Sequence, residues 1–99
     1  MKLILEKNVN EEIITRIEYL YHLIEQYQFI MNEVLRKKSK YEYNKENVDY
    51  YMDKFSKVRS EFMLLTREVV FEIDKKYAIE ENYYVEFDFE EKAVKIYEK

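Results

Sequence analysis

Two long stripes of apolar residues constrain this chain more than any other feature. Within each stripe, apolar residues recur at alternating spacings of three and four. The first stripe is Ile13, Ile17, Leu20, Ile24, Tyr27, Met31 and Val34, and the second is Val48, Tyr51, Phe55, Val58, Phe62, Leu65 and Val69. Side chains at this spacing share one face of an α-helix. The sequence therefore predicts two long helices that form a coiled-coil-like antiparallel hairpin.

Local signals mark where these helices begin. Asn8 or Asn10 can cap the first helix with its side-chain oxygen. The segment 36–44 (RKKSKYEYN) breaks the apolar pattern and is predicted to form the loop between the helices. Asn44 or Asn47 can then cap the second helix.

The end of the second helix is ambiguous in the sequence. Residues 68–73 (EVVFEI) contain enough β-branched side chains to form a strand. The unbroken apolar stripe, which Ile73 continues, favours a helix instead. Lys75 and Lys76 would then occupy its last turn, where the helix dipole favours positive charge.

Three segments alternate with the period of two that is typical of strands. Residues 2–7 place Leu3 and Leu5 on one face, and residues 83–89 place their odd-numbered side chains on one face. Val94 and Ile96 continue that face in a third strand.

A turn over residues 90–93 should join the last two strands. Because it lacks glycine, a four-residue loop is favoured over a two-residue one. This turn pairs Phe89 with Val94 and Phe87 with Ile96. The predicted fold is therefore a single α+β domain over residues 1–99, in the order β-α-α-β-β, with a small three-stranded antiparallel sheet at the base of the hairpin.

The composition excludes several kinds of site. The chain has no glycine for a phosphate-binding loop or nucleophile elbow, and no cysteine for a disulfide or thiolate ligand. The one histidine, His22, shares a helix face with Glu18 and Glu25. A metal site of the kind found in four-helix bundles would need a second histidine, so an exposed His22 beside carboxylates is the better interpretation. We expect no catalysis, no cofactor and no metal.

Composition also bears on source and location. Glycine, proline, cysteine and tryptophan are absent, and residues with AT-rich codons such as Lys, Ile, Asn and Tyr dominate. We expect an AT-rich bacterium, or one of its phages or plasmids. No apolar run approaches the ~20 residues of a membrane span, and the start lacks the apolar core of an export signal. A cytoplasmic location is expected.

The helices carry more apolar side chains than one seam between two helices can bury. Leu23, Ile30 and Met52 lie off the two stripes. An exposed apolar surface of this extent is typical of an interface. The predicted interface is Leu23, Ile30, Met31, Val34, Tyr51, Met52 and Phe55. The favoured function is a homodimeric adaptor, inhibitor or regulator that binds proteins and performs no chemistry.

A basic segment supports a second hypothesis. Residues 36–59 contain eight basic and four acidic side chains, a net charge of +4, although the whole chain carries −4. The candidate contact is Arg36, Lys37, Lys38, Lys40, Tyr41, Tyr43 and Lys45. Lysines beside tyrosines can bind phosphates and stack on bases, in a contact that weakens steeply with salt. Basic residues also complement a helix C-terminus, which is the more ordinary interpretation.

The opposite charge dominates residues 80–99, where seven acidic and three basic side chains give −4. Glu86, Asp88 and Glu90 alternate on the outward face of a predicted strand. Such a row can mimic phosphates, but more often it is the solvated face that protects a strand from aggregation.

Overall fold

The computed structural model of the protein describes residues 1–37 and 45–99. Its elements are β1 (Lys2–Asn8), α1 (Glu11–Lys37), α2 (Lys45–Ile73), α3 (Lys76–Ile79), β2 (Tyr83–Asp88) and β3 (Ala93–Glu98). Two long helices and a three-stranded antiparallel sheet confirm the predicted α+β class and its β-α-α-β-β order. The short helix α3 is an addition that the sequence pattern did not indicate.

The chain forms two compact units. The first consists of Met1–Glu18 and Met63–Lys99 and contains all three strands. We call it the sheet unit. The second is Tyr19–Phe62, whose described residues belong to α1 and α2, and we call it the helical unit.

The start of α1 follows the predicted capping chemistry. The Asn10 Oδ1 atom accepts hydrogen bonds from the backbone N–H groups of Glu12 (2.9 Å) and Ile13 (3.4 Å). Asn10 is therefore the cap, whereas Asn8 is the last residue of β1.

At its other end α1 runs further than predicted, because Arg36 and Lys37 are helical. Segment 36–44 contains no glycine or proline to end a helix at its first residue. The Arg36 guanidinium also donates to Glu33 at 2.9 Å, one turn earlier on the same helix. The rest of the predicted loop and the cap at Asn44 lie outside the described residues. The alternative cap at Asn47 was wrong, because α2 already begins at Lys45.

Residues 68–73 are helical, which resolves the ambiguity of this segment, and Val69 and Val70 are buried. The placement of Lys75 and Lys76 in the last turn of α2 was wrong, because α2 ends at Ile73. The Asp74 Oδ1 atom accepts the N–H of Lys76 at 3.0 Å. This local hydrogen bond competes with continuation of the helix and opens α3 instead.

β3 is the middle strand of the sheet, in the order β1-β3-β2. The predicted pairing of Phe89 with Val94 and of Phe87 with Ile96 was wrong by two residues. Phe87 pairs with Val94, and Val85 pairs with Ile96. Because side chains alternate with a period of two, this shift leaves the assignment of faces intact.

The cause of the shift is the turn, which spans residues 89–92 and keeps the predicted length of four. Asp88 Oδ1 accepts the N–H of Glu91 at 3.0 Å, so the turn begins one residue early. Lys92 ends it in the left-handed region, with φ of 52°. The Lys92 carbonyl accepts the N–H of Val9 at 3.0 Å and its ammonium pairs with Glu11, so both groups fix this conformation.

β1 also departs from the prediction. Leu5 lies opposite Ile96 but Leu3 lies opposite Tyr97, so a β-bulge inserts Ile4 between them. Neighbouring residues of β3 point to opposite faces, and therefore Leu3 and Leu5 do not share a face as predicted. The bulge also interrupts the hydrogen-bonding row along this sheet edge, which hinders pairing with another chain.

Candidate interaction surfaces

Aromatic side chains contact one another between the two helix segments of the helical unit. The rings of Tyr27 and Tyr51 lie 6.5 Å apart, and those of Tyr21 and Phe62 lie 6.4 Å apart, so the helix segments run antiparallel in this unit. Among the described residues, only Leu20 and Val48 are buried apolar side chains in this unit. Contacts between two helices thus leave most of the large side chains partly exposed.

All seven residues of the predicted interface belong to the helical unit. Met52 has 50% of its surface exposed. The other six are half-buried, namely Leu23, Ile30, Met31, Val34, Tyr51 and Phe55. Leu23 and Ile30 are seven residues apart and therefore share one side of α1. In a single chain this surface is too exposed to be a closed core.

The structure adds aromatic side chains that the periodicity did not single out. Phe29 is 66% exposed, Tyr50 is 58% exposed and Tyr19 is 54% exposed. Phe29 and Ile30 line one shallow groove on α1 together with His22, Glu25 and Gln26. The spacing of three and four selected Ile30 and not its neighbour Phe29, which lies about 100° further round the helix.

His22 lies in this groove as an exposed side chain. Its Nδ1 atom is 3.5 Å from Glu25 Oε1, and its ring is in edge contact with Tyr21 at 5.8 Å. In the part of the chain that the structure describes, no three metal-ligating side chains cluster closely enough to hold an ion.

The outer face of the sheet combines an aromatic pair with paired charges. The rings of Tyr84 and Tyr97 lie 6.1 Å apart. The Lys95 ammonium lies 3.0 Å from Asp88 Oδ2, and both side chains are about three-quarters buried. The backbone N–H of Glu91 and then Lys95 lower the pKa of Asp88, and Asp88 in turn raises the pKa of Lys95. Partial burial, followed by the charge of Glu86, raises the pKa of Tyr97.

The expected row of acidic side chains on this face is not continuous. Glu90 lies in the turn and Asp88 pairs with Lys95. Lys95 is also the strand partner of Glu86, so a positive charge lies beside the negative ones. The arrangement does not reproduce a line of phosphates.

The basic segment of the second hypothesis is only partly described. Arg36 and Lys37 lie in the last turn of α1, and Lys45 is the first residue of α2. Lys38, Lys40, Tyr41 and Tyr43 lie outside the described residues. Arg36 is paired with Glu33 at 2.9 Å.

A second exposed apolar surface lies on α2 in the sheet unit. Leu64 is 62% exposed and Phe71 is 42% exposed. They line a shallow groove with Arg67, Glu68 and Glu72. Both residues fall outside the apolar stripe, so the periodicity of the sequence did not reveal this surface. Their separation of one heptad was the signal that could have revealed it.

Comparison of the chain with models of protein families, with curated proteins and with solved structures finds no match. Within residues 1–37 and 45–99, no helix is long and apolar enough to cross a membrane.

Proposed function

We propose that this protein is a non-catalytic protein–protein interaction module that forms a homodimer through its helical unit. The observation that carries the proposal is the poor burial of that unit, where Phe29, Tyr50 and Met52 are each at least half exposed. Exposed apolar surface of this kind is typical of interfaces, and a second copy would cover it without another gene product.

The surface offered to the second copy combines the predicted residues with those that the structure adds. Leu23, Ile30 and Phe29 lie on α1. Tyr50 and Met52 lie on α2 but point about 160° apart, so a second copy that covers one of them leaves the other exposed. Large aromatic side chains and methionine are enriched at the centres of interfaces. A stable dimer commonly buries about 800 Å² per partner, which a pair of helix faces can provide.

The non-catalytic part of the proposal rests on composition. The chain has no cysteine and no glycine, and its one histidine is exposed beside Glu25. We further propose, on composition alone, that the protein works in the cytoplasm of an AT-rich bacterium or phage-infected cell as an adaptor, inhibitor or regulator.

Sedimentation equilibrium at about 10 µM tests the dimer, since interfaces of this size give dissociation constants from micromolar to picomolar. We expect the mass of two 12.5 kDa chains. Phe29→Glu and Ile30→Glu should each shift that mass towards one chain. Phe29 is the sharper site, because its 66% exposure means that the substitution leaves the single chain intact.

Ile79→Glu is the matched control, because Ile79 is equally exposed at 66% but lies in the sheet unit. Its mass should equal that of the wild type. A single-chain mass for the wild-type protein would overturn the homodimer. The same helical surface would then be a binding site for a different protein.

A further inference from the structure

The back of α2 in the sheet unit carries an apolar pair that the fold leaves uncovered. Val69 and Val70 are buried on one side of the helix, whereas Leu64 and Phe71 are 62% and 42% exposed. At about 100° per residue, Leu64 and Phe71 lie about 100° or more round the helix from both valines. The packing that buries one side of α2 therefore leaves this pair in solvent.

Leu64 and Phe71 are aligned along the helix. They are separated by one heptad, so their directions differ by only about 20°. Together they define a short apolar seam parallel to the helix axis. Arg67 and Glu68 lie between them in sequence and point about 50° to either side of the seam.

The charged side chains beside this seam lack ion-pair partners among the described residues and include two like charges. No described residue forms an ion pair with Arg67 or Glu68. Glu68 and Glu72 are four residues apart, a spacing at which like charges destabilise a helix. A positive charge delivered to the Glu68 flank would relieve this repulsion.

Arg67 of a second copy can supply that positive charge. The relative orientation of the two helices decides whether it lies beside Glu68. When two helices run antiparallel, the twofold axis is perpendicular to them. Each flank of the seam then faces the same flank of the other copy. Arg67 then faces Arg67 and Glu68 faces Glu68, which is unfavourable. When the helices run parallel, the twofold axis lies along the seam. The Arg67 flank of each copy then faces the Glu68 flank of the other.

In the parallel arrangement, Arg67 of each copy faces Glu68 of the other, at heights that differ by about 1.5 Å. Leu64 packs on Leu64 and Phe71 packs on Phe71. Four alternating charges surround the axis between two apolar layers. The face is thus complementary to itself in the parallel orientation and repels itself in the antiparallel one.

We propose that the back of α2, formed by Leu64, Arg67, Glu68 and Phe71, is a second self-association surface that binds the same surface of another copy in a parallel, twofold-symmetric contact. It goes beyond the proposed function, because it lies in the sheet unit and shares no residue with the helical-unit interface. Two apolar layers are fewer than the three or four heptads of a free-standing coiled coil, so this contact is weak by itself.

The absence of cysteine permits a clean cross-linking test. A twofold axis along the seam brings position 64 close to position 64, within the reach of a disulfide. Leu64→Cys and Phe71→Cys should each form disulfide-linked dimers in a glutathione redox buffer. Met63→Cys is the control, because Met63 is 52% exposed but points about 90° away from the seam.

We expect an effective concentration at least about tenfold higher for positions 64 and 71 than for position 63. Equal cross-linking at all three positions would overturn the proposal, because it would indicate random collision. Cross-linking only in a mixture of Leu64→Cys with Phe71→Cys would also overturn it, because that result requires antiparallel helices.

Charge reversal tests the same contact independently. In the Leu64→Cys background, Arg67→Glu or Glu68→Arg alone should reduce cross-linking to the level of position 63. The double exchange should restore it, because the alternating charges return. Failure of the double variant to recover, while its circular dichroism matches that of the wild type, would overturn the pairing.

Addition of Phe29→Glu separates this contact from the helical-unit dimer. Cross-linking at position 64 should persist when the mass of the uncross-linked Phe29→Glu protein falls to that of one chain. Loss of cross-linking at position 64 in this variant would overturn the independence of the two surfaces, whatever the fate of the helical-unit dimer.

Discussion

The sheet unit and the helical unit are built from the same two helices, yet they bury their side chains very differently. Of the nine buried apolar residues among those described, seven lie in the sheet unit and two lie in the helical unit. In the sheet unit, Ile17 and Ile96 are completely inaccessible. The middle strand β3 has neighbours on both sides, and the sheet supplies a third surface against which helices can pack.

The described residues of the helical unit form two helix segments and provide no such third surface. Two helices shield only a stripe on each other, so large rings such as Tyr27 and Tyr51 remain half-buried although they contact one another. A hairpin of two helices is therefore an incomplete core, and its remaining apolar surface is what a second chain can cover. The comparison predicts that the sheet unit supplies most of the stability and the helical unit most of the interface.

The largest effect should come from truncation in the sheet unit. Ile96→Ala removes three carbons from a fully buried position in the middle strand. We expect a loss of about 2–5 kcal/mol in the free energy of unfolding. Urea denaturation measures it, with Ile79→Ala as the exposed control, which should change stability by less than about 0.5 kcal/mol. A loss below about 1 kcal/mol at Ile96 would contradict the assignment of the core to the sheet unit.

A smaller loss is expected in the helical unit. Phe62 lies in the middle of the predicted stripe but is only half-buried, and its ring contacts Tyr21. Phe62→Ala should cost about 1–2 kcal/mol in a single chain, less than the full burial of an aromatic side chain would give. Denaturation at several protein concentrations measures it. A cost that equals that of Ile96→Ala would remove the distinction between the two units.

Phe62 also shows what the sequence could and could not predict. The stripe that contains Phe62 was predicted correctly because helical periodicity is a local property of the chain. Periodicity does not predict its degree of burial, because burial depends on what else covers the helix. The cap at Asn10, one of the two predicted candidates, and the length of the turn were equally local features, and both were confirmed.

The errors arose where a single side chain overrode the pattern. Asp88 bound the N–H of Glu91 and moved the turn by one residue, and Ile4 entered a bulge that reversed Leu3. Neither event changes the alternation of apolar residues, so periodicity could not reveal it. For the same reason, the exposed Leu64 and Phe71 were missed, since both lie outside the stripe that periodicity selects.

The third largest loss of stability is expected at the N-terminal cap of α1, which lies in the sheet unit. Asn10→Ala removes the acceptor for the N–H groups of Glu12 and Ile13. We expect a loss of about 1 kcal/mol, which is typical of an N-cap. Asn8→Ala is the matched control, because Asn8 is the last residue of β1 and does not occupy the cap position. Equal losses for the two variants, measured by thermal unfolding, would refute the capping role.

The smallest effect concerns two ion pairs, one in each unit. The pair of Asp88 and Lys95 is only 23–24% exposed, whereas the pair of Asp53 and Lys57 on α2 is 60–72% exposed, although both distances are 3.0 Å. Exposed pairs contribute little because water screens them. We therefore expect Asp88→Asn to lower stability at neutral pH and Asp53→Asn to leave it nearly unchanged.

The pH dependence of stability tests whether the charge of Asp88 causes the loss that we expect in Asp88→Asn. The N–H of Glu91 and the Lys95 ammonium hold the pKa of Asp88 below its ordinary value of 3.8. The resulting stabilisation is present above pH 3.8 and is lost as the pH falls through the lower folded value. The stability difference between wild type and Asp88→Asn should therefore shrink between about pH 5 and pH 2, as measured by denaturation across that range. A difference that stays constant there would mean that shape, and not the charge of Asp88, sets the contribution. Asp88→Asn suits this test because an amide oxygen at this position can still accept the N–H of Glu91, so the variant keeps the bond of the turn and removes the charge.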